Sequence, residues 1–301
     1  MKQRCGHIYP KAAAMKTSKD FLIFGGFLFP LIRLNILFGR KGGDQLRSAK
    51  NPCQKLLPVA CVFLILSACA ATQAKQQFIS LKTVDEKKLA ADYYPAKLPS
   101  APAVILLPDT RCDKNVFGSF PLELNNAGFT VVSIDLRYKD LIDRAGSRDE
   151  AIKTIQKQNL YEAVDYDVKS AIDFLSDQKG AGPARIGIIG TSFGSRVALL
   201  SGIKYDLEAL VLVSLSGEEA LPGGKPVKQL LDEYGDKPIL FMTCEKDWGG
   251  NYKAAENNRL YYEWAKGDKD LKIWPGSRHG VEIVKDKEAS EYIINWLKHK
   301  L

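Results

Sequence analysis

The 301-residue chain carries a formal net charge of +8, from 43 basic and 35 acidic residues. Eleven of the basic and two of the acidic residues precede residue 70, which leaves 32 basic and 33 acidic residues and a net charge of −1 in the rest. That remainder therefore gives no electrostatic reason to expect nucleic-acid binding. Its 232 residues are enough for one domain with a large core, so we expect 70–301 to form a single domain.

The first 69 residues are interpreted as a leader. Two lysines precede a short apolar run, 56–66, and small residues separate that run from Cys69. A positive flank, an apolar core and small residues are the parts of a secretory signal. Residues 66–69 also resemble the lipobox of bacterial lipoproteins. That resemblance implies acylation of Cys69 and a lipid-anchored protein of the cell envelope, on the periplasmic side of the outer membrane.

Residues 1–50 leave two interpretations open, because a signal peptide usually begins near its basic flank. One hypothesis is that the start has been assigned upstream of the codon used in the cell. The other is an additional membrane segment, for which Phe21–Phe38 is a weak candidate because Pro30 and Arg33 interrupt it.

After the leader, short apolar runs alternate with helical patterns. An antiparallel hairpin comes first, and the later apolar runs are nearly continuous, as is typical of parallel strands buried on both faces. The alternation predicts a mostly parallel sheet with helices on both sides. The predicted strands are Gln77–Leu81, Lys88–Tyr93, Val104–Leu107, Thr130–Asp135, Arg185–Ile189, Ala209–Ser214, Pro238–Thr243 and Leu271–Trp274, and the clearest helices are Tyr161–Gln178, Asn251–Lys266 and Lys287–Lys300.

The fifth predicted strand runs into Gly-Thr-Ser-Phe-Gly, residues 190–194, and a helical pattern follows. A strand, a sharp turn and a helix would present Ser192 at the apex, with glycines that leave room for the tight backbone. A serine hydroxyl becomes a useful nucleophile only beside a base. The pattern therefore predicts a nucleophilic Ser192 and requires a histidine elsewhere in the chain.

Of the three histidines, only His279 is a plausible base. His7 lies in the leader, and His299 lies near the end of a predicted amphipathic helix. His279 lies in a Gly/Pro-rich loop after the eighth predicted strand, from which a side chain can reach a site above the sheet. We therefore expect its imidazole to meet the Ser192 hydroxyl.

The histidine needs a carboxylate to fix its tautomer and to stabilise the imidazolium. Asp247, in the loop after the seventh predicted strand, is the preferred residue. Glu245 in the same loop is an alternative, as is Glu218 or Glu219 after the sixth strand.

The order serine, aspartate, histidine, each after a strand, resembles the α/β-hydrolase family over residues 76–301, in particular its dienelactone-hydrolase and esterase-like members. The resemblance implies an eight-stranded, mostly parallel sheet and a catalytic triad of Ser192, Asp247 and His279. The family often inserts a lid after the sixth strand. The corresponding segment, 217–236, is short here, so we expect a small or absent lid.

The same resemblance suggests the oxyanion hole. Many members carry His-Gly after the third strand, whereas this chain reads Leu-Pro-Asp-Thr-Arg-Cys over 107–112. By analogy the N–H of Phe193 is the first donor, and that of Thr110 or Arg111 is the second. Loss of one such donor costs about 10²–10³ in rate, so this assignment matters. The Arg111 side chain could meet an anionic substrate group or could be an ordinary surface residue.

These observations predict a serine hydrolase that cleaves a small-molecule carboxylic ester through an acyl-serine intermediate. Peptidase and thioesterase activity on the same triad remain alternatives, as does a non-catalytic binding protein on this fold. We expect no cofactor. Cys112 and Cys244, which are the only cysteines after Cys69, are too few to suggest a zinc site.

Overall fold

The structure is a computed structural model that describes residues 21–24, 27–30, 76–110, 112–137, 139, 150, 153, 160–179, 185–215 and 225–301. The chain divides into two units, Met1–Cys69 and Ala70–Leu301. In the first unit, Phe21–Phe24 pairs with Phe27–Pro30 as antiparallel strands, so this part of the apolar stretch is not helical. The lipobox and Cys69 lie outside the described residues. No helix among the described residues is long and apolar enough to cross a membrane.

The second unit contains one eight-stranded sheet, in which the strands lie in the spatial order 1-2-4-3-5-6-7-8. Strand β2 is antiparallel to both β1 and β4, and the other neighbours are parallel. The predicted mostly parallel sheet is therefore confirmed. The strands are β1 Gln77–Lys82, β2 Lys88–Tyr94, β3 Ala103–Leu107, β4 Thr130–Ile134, β5 Ile186–Thr191, β6 Ala209–Val213, β7 Ile239–Cys244 and β8 Lys269–Trp274.

Helices cover both faces of this sheet. The side chains of Ala103, Ile105 and Leu107 on β3 pack into one apolar cluster, whereas Val104 and Leu106 pack into a second, as the alternation along a strand requires. The first cluster includes α2, α3, α4 and α6, and the second includes α1, α7 and α8. The helices are α1 Phe120–Asn126, α2 Leu160–Lys179, α3 Phe193–Lys204, α4 Val227–Tyr234, α5 Gly249–Tyr252, α6 Ala254–Trp264, α7 Val281–Val284 and α8 Lys287–Lys300, and a 3-10 turn spans Lys114–Phe117.

One predicted helix is wrong in detail. The expected continuous helix Asn251–Lys266 is split into α5 and α6, because Tyr252 adopts a left-handed conformation with φ of 65° that a helix cannot continue through. Of the segment predicted as a small lid, the structure describes 225–236. There α4 packs its buried leucines, Leu230 and Leu231, against the core.

The parallel register brings the carboxyl ends of the central strands to one level. Leu107 at the end of β3 pairs with Gly190 on β5, and Thr191 at the end of β5 pairs with Val213 at the end of β6. Loops that leave these ends consequently meet above one edge of the sheet. That edge is where ligand sites of open α/β sheets lie.

Candidate active site

Ser192 occupies a strained turn between β5 and α3. Its φ of 52° and ψ of −114° lie in a region that costs a non-glycine residue about 1–3 kcal/mol. The flanking glycines are required by close backbone contacts. A Cβ on Gly190 would overlap the carbonyl of Gly194, and a Cβ on Gly194 would overlap the carbonyl of Leu107. The turn can close only with glycine at these two positions.

Hydrogen bonds to β6 hold this turn in place. The Ser192 N–H donates to the carbonyl oxygen of Val213 at 2.9 Å. Ser195 Oγ lies 2.7 Å from the same oxygen and 2.8 Å from that of Gly190, so its one proton can bond to either. These bonds offset the backbone strain and fix the direction in which the Ser192 side chain leaves the turn.

His279 lies in the loop between β8 and α7, and only 4% of it is exposed. Its Nε2 atom is 2.8 Å from Ser192 Oγ. Its Nδ1 atom is 2.6 Å from Asp247 Oδ1. The structure therefore brings the three residues singled out in the sequence into one hydrogen-bonded chain, with a fully buried carboxylate at its far end.

Asp247 is held by neutral donors. Its Oδ2 accepts hydrogen bonds from Ser214 Oγ at 2.6 Å and Thr243 Oγ1 at 2.9 Å, and its Oδ1 accepts one from the Gly249 N–H at 2.8 Å. Burial by itself raises the pKa of Asp247, but the hydrogen bonds from His279 and Ser214 lower that pKa, and the net shift is downward. An ionised Asp247 accepts a hydrogen bond from the Nδ1–H group of His279, which leaves Nε2 unprotonated and able to accept the proton of Ser192.

The alternative acids do not take this position. Glu245 is exposed, and its backbone N–H donates to the carbonyl of Trp274. Glu218 and Glu219 lie outside the described residues. Among the residues that the structure describes, Asp247 is thus the acid bonded to His279 Nδ1.

The proposed oxyanion donors lie on two segments that pack together. Phe193 is the first residue of helix α3. The contact of Gly194 with the carbonyl of Leu107 places the end of β3 against this helix start, and Thr110 follows three residues later. Arg111 lies outside the described residues. The roles of Phe193 and Thr110 remain predictions.

Asp109 connects the loop after β3 to the loop that carries His279. The N–H of Val281 lies 3.2 and 3.3 Å from its two carboxylate oxygens. Gly280 has a φ of 55°, and a Cβ there would overlap the Asp109 carboxylate. Burial raises the pKa of Asp109, and the hydrogen bond from Val281 lowers it by a smaller amount.

Comparison with known proteins identifies the family. The sequence model of the Dienelactone hydrolase family matches residues 90–295. The chain belongs to the dienelactone hydrolase family. A probable 2-oxo-3-(5-oxofuran-2-ylidene)propanoate lactonase from Bradyrhizobium sp is 25% identical over 209 residues, which cover 67% of this chain and 82% of that protein. The protein is thus an enzyme of the hydrolase class, as the sequence predicted.

Two solved structures show the same fold. The dienelactone hydrolase from Anabaena variabilis ATCC 29413 has 17% identity and a TM-score of 0.57, and the match covers 76% of this chain and 99% of that one. A cold-adapted esterase from an Arctic intertidal metagenomic library has 19% identity and a TM-score of 0.60, and the match covers 76% of this chain and 95% of that one. At these identities the likeness establishes the architecture only.

The sequence interpretation missed several residues of this dienelactone hydrolase family member. Ser214 has a φ of 56°, and its hydroxyl donates to Asp247 and accepts from the N–H of Gly280, so it joins the acid loop to the histidine loop. Thr243 is the second hydroxyl donor to Asp247. Both hydroxyl residues lie at the carboxyl end of an otherwise apolar strand, which is the signal that could have found them. Trp248, whose ring stacks on His279, was also missed.

Across residues 76–110, 112–137, 160–179, 185–215 and 225–301, no group of three or more His, Cys, Asp or Glu side chains is arranged to hold a metal ion.

Proposed function

We propose that this protein is a serine hydrolase that cleaves small-molecule carboxylic esters through an acyl-serine intermediate. The observation that carries the proposal is the unbroken chain from Ser192 Oγ through His279 to a buried Asp247, with links of 2.8 and 2.6 Å. This is the geometry that a nucleophile, a general base and an orienting acid require.

The mechanism follows from these contacts. His279 Nε2 takes the Ser192 proton while Oγ attacks the carbonyl carbon, and the charge on the carbonyl oxygen is met by the N–H groups of Phe193 and Thr110. Asp247 stabilises the imidazolium that forms. The imidazolium then protonates the leaving alkoxide, and a water molecule activated by the same imidazole releases the acid.

An ester is the substrate class that these features favour. The relative from Bradyrhizobium sp is named as a probable lactonase, and a structural neighbour is an esterase. A lactone is a cyclic ester, so both names describe cleavage of an acyl C–O bond. An alkoxide is also a better leaving group than an amide anion, so an ester asks less of the site than a peptide does. If the enzyme turned over peptides or thioesters but did not cleave esters, the proposed substrate class would be wrong.

The test uses Ser192→Ala and a matched control, Ser277→Ala, which changes an exposed serine two residues before His279. We expect Ser192→Ala to lose about 10⁴–10⁶-fold in turnover of a short-chain p-nitrophenyl ester, and to escape fluorophosphonate labelling. Ser277→Ala should behave as the wild type. A labelled, active Ser192→Ala variant would overturn the proposal, and an unlabelled wild type would favour a non-catalytic binding protein.

We also propose that the enzyme is tethered to the cell envelope through an acylated Cys69. The support is the lipobox-like sequence 66–69 after a basic flank and a short apolar core. Cells fed a labelled fatty acid should incorporate it into the wild type but not into Cys69→Ser, and the variant should leave the membrane fraction. Mass spectrometry of the unprocessed precursor tests the hypothesis that the start has been assigned upstream of the codon used in the cell, and peptides from residues 1–45 would refute that hypothesis.

A further inference from the structure

Trp248 covers one face of the candidate base. Its indole ring centroid lies 3.9 Å from that of the His279 imidazole, and the two planes are inclined by 34°. Trp248 is 51% exposed, whereas His279 is 4% exposed. The indole of the half-exposed Trp248 therefore packs on an imidazole that is almost fully buried.

The backbone that carries the acid also fixes this indole. Trp248 directly follows Asp247, and the next residue, Gly249, donates its N–H to the Asp247 carboxylate. A Cβ on Gly249 would lie 2.6 Å from His279 Cε1, so the chain passes as close to the imidazole edge as a glycine permits. The Trp248 carbonyl in turn accepts the Tyr252 N–H at 3.3 Å. The loop 247–252 thus presents a carboxylate to the edge of His279 and an indole to its face.

The stack gains strength only when the imidazole is charged. The face of an indole attracts a cation within about 6 Å of its ring centre, and the 3.9 Å separation is well inside that range. Neutral imidazole lacks this attraction. An interaction that is stronger in the transition state than in the resting enzyme accelerates the chemical step.

We propose that Trp248 is a positioning residue of this site, whose indole face orients His279 and stabilises its imidazolium through a cation–π contact. The inference rests on the proposed function, because the imidazolium forms when His279 accepts the Ser192 proton. In that step the Oγ–C bond forms as the carbonyl π pair moves to oxygen, and the proton passes from Oγ to Nε2. The proton later passes from Nε2 to the leaving alkoxide. Trp248 exchanges neither a proton nor an electron.

The test replaces Trp248 with mono-, di-, tri- and tetrafluorotryptophan, because each fluorine withdraws π density while the shape changes little. The logarithm of kcat for a p-nitrophenyl ester should fall with each fluorine, to a total loss of about 3- to 30-fold, whereas KM should stay within about twofold. The same series at Trp264, which packs on the core from α6, is the matched control and should leave kcat unchanged.

Two conventional variants complete the experiment. Trp248→Phe keeps an aromatic face and should retain part of kcat, whereas Trp248→Leu keeps only apolar cover and should lose at least as much as the tetrafluoro variant. A flat fluorine series with a slow Trp248→Leu would show that the indole merely packs, and an effect on KM alone would make it a substrate contact. Either result overturns the inference. Fluorophosphonate labelling of Ser192 in the same preparations tests the proposed function separately.

Discussion

Two regions of the domain bury carboxylates, and they neutralise them differently. After β4, Arg137 is 4% exposed and pairs through Nε with Asp167 and through Nη1 with Asp85, each at 2.7 Å. In the candidate active site Asp247 is as deeply buried as Asp167, but its donors are two hydroxyls, a backbone N–H and the imidazole of His279. One region matches charge with charge, and the other surrounds a charge with neutral dipoles.

The difference explains what each region can do. The guanidinium joins the turn between β1 and β2 to helix α2, and its N–H groups are directed to two carboxylates at once. A buried ion cluster of this kind stabilises the fold only while the guanidinium and its carboxylates are all present. Within the part of the chain that the structure describes, no guanidinium pairs with Asp247, so its charge is available to orient and stabilise His279. Groups of this kind are typical of functional sites.

Of the changes that separate these two regions, removing the charge of Asp247 has the largest expected effect. Asp247→Asn should lower kcat by about 10³–10⁴-fold, because the amide favours the wrong imidazole tautomer. Steady-state kinetics on a p-nitrophenyl ester measures the loss. Glu245→Gln changes the exposed acid of the same loop and should leave kcat within about twofold. Equal losses of kcat in the two variants would show that the buried acid has no special role and would contradict the assignment of Asp247.

The same variant has a defined pH signature. The pKa of Asp247 is lowered in the folded protein, so its contribution to stability is fully present above the ordinary aspartate pKa and is lost as the pH falls below that value and through the lower pKa of the folded state. The free energy of unfolding of the wild type should therefore approach that of Asp247→Asn only as the pH falls below about 4. A difference that does not change with pH would contradict this assignment.

The next effect is on stability and belongs to the other region. Arg137→Leu should lower the free energy of unfolding by about 3–5 kcal/mol, since it leaves Asp167 buried without its cation. Urea unfolding measures this loss. The kcat of the folded variant should change less than about threefold, because the Arg137 side chain bonds to Asp85 and Asp167 and not to the triad.

A double variant provides the control for that result. Adding Asp167→Asn to Arg137→Leu removes the uncompensated charge and should recover part of the lost stability. If the single variant loses less than about 1 kcal/mol, then water must reach Asp167, and the two regions differ less than the burial suggests.

The sequence predicted the sheet closely because buried parallel strands leave a strong apolar signal. Seven of the eight predicted strand starts coincide with those observed or lie within one residue of them. The start of β8 lies two residues earlier than predicted, at Lys269, where a polar residue pairs with Ile239 on β7. Pairing with a neighbour extends a strand beyond what its own composition indicates.

The site was predictable only where one residue had few competitors. Ser192 has a distinctive glycine frame, and His279 had no rival histidine after the leader except His299. Ser214 and Trp248 could not be found in this way, because their importance lies in what faces them in space. The position of Ser214 at the carboxyl end of an apolar strand makes it a candidate, but nothing local shows that its hydroxyl reaches a buried carboxylate or that the Trp248 indole covers an imidazole.

The smallest predicted effect concerns Asp109, a carboxylate of the site that is held by the Val281 N–H rather than by a cation. Burial raises the pKa of Asp109, so its contribution to stability is present below the ordinary aspartate range and is lost as the pH rises through the raised pKa. Asp109→Asn keeps an oxygen acceptor for Val281 and removes the charge. It should therefore raise the free energy of unfolding at pH 7 by about 0.5–1 kcal/mol, with a smaller gain at pH 4. A variant less stable than the wild type at pH 7 would mean that the hydrogen bond from Val281 to the charged carboxylate stabilises the fold by more than burial of that charge destabilises it. The charge of Asp109 would then stabilise the fold, as the ion pairs of Arg137 do.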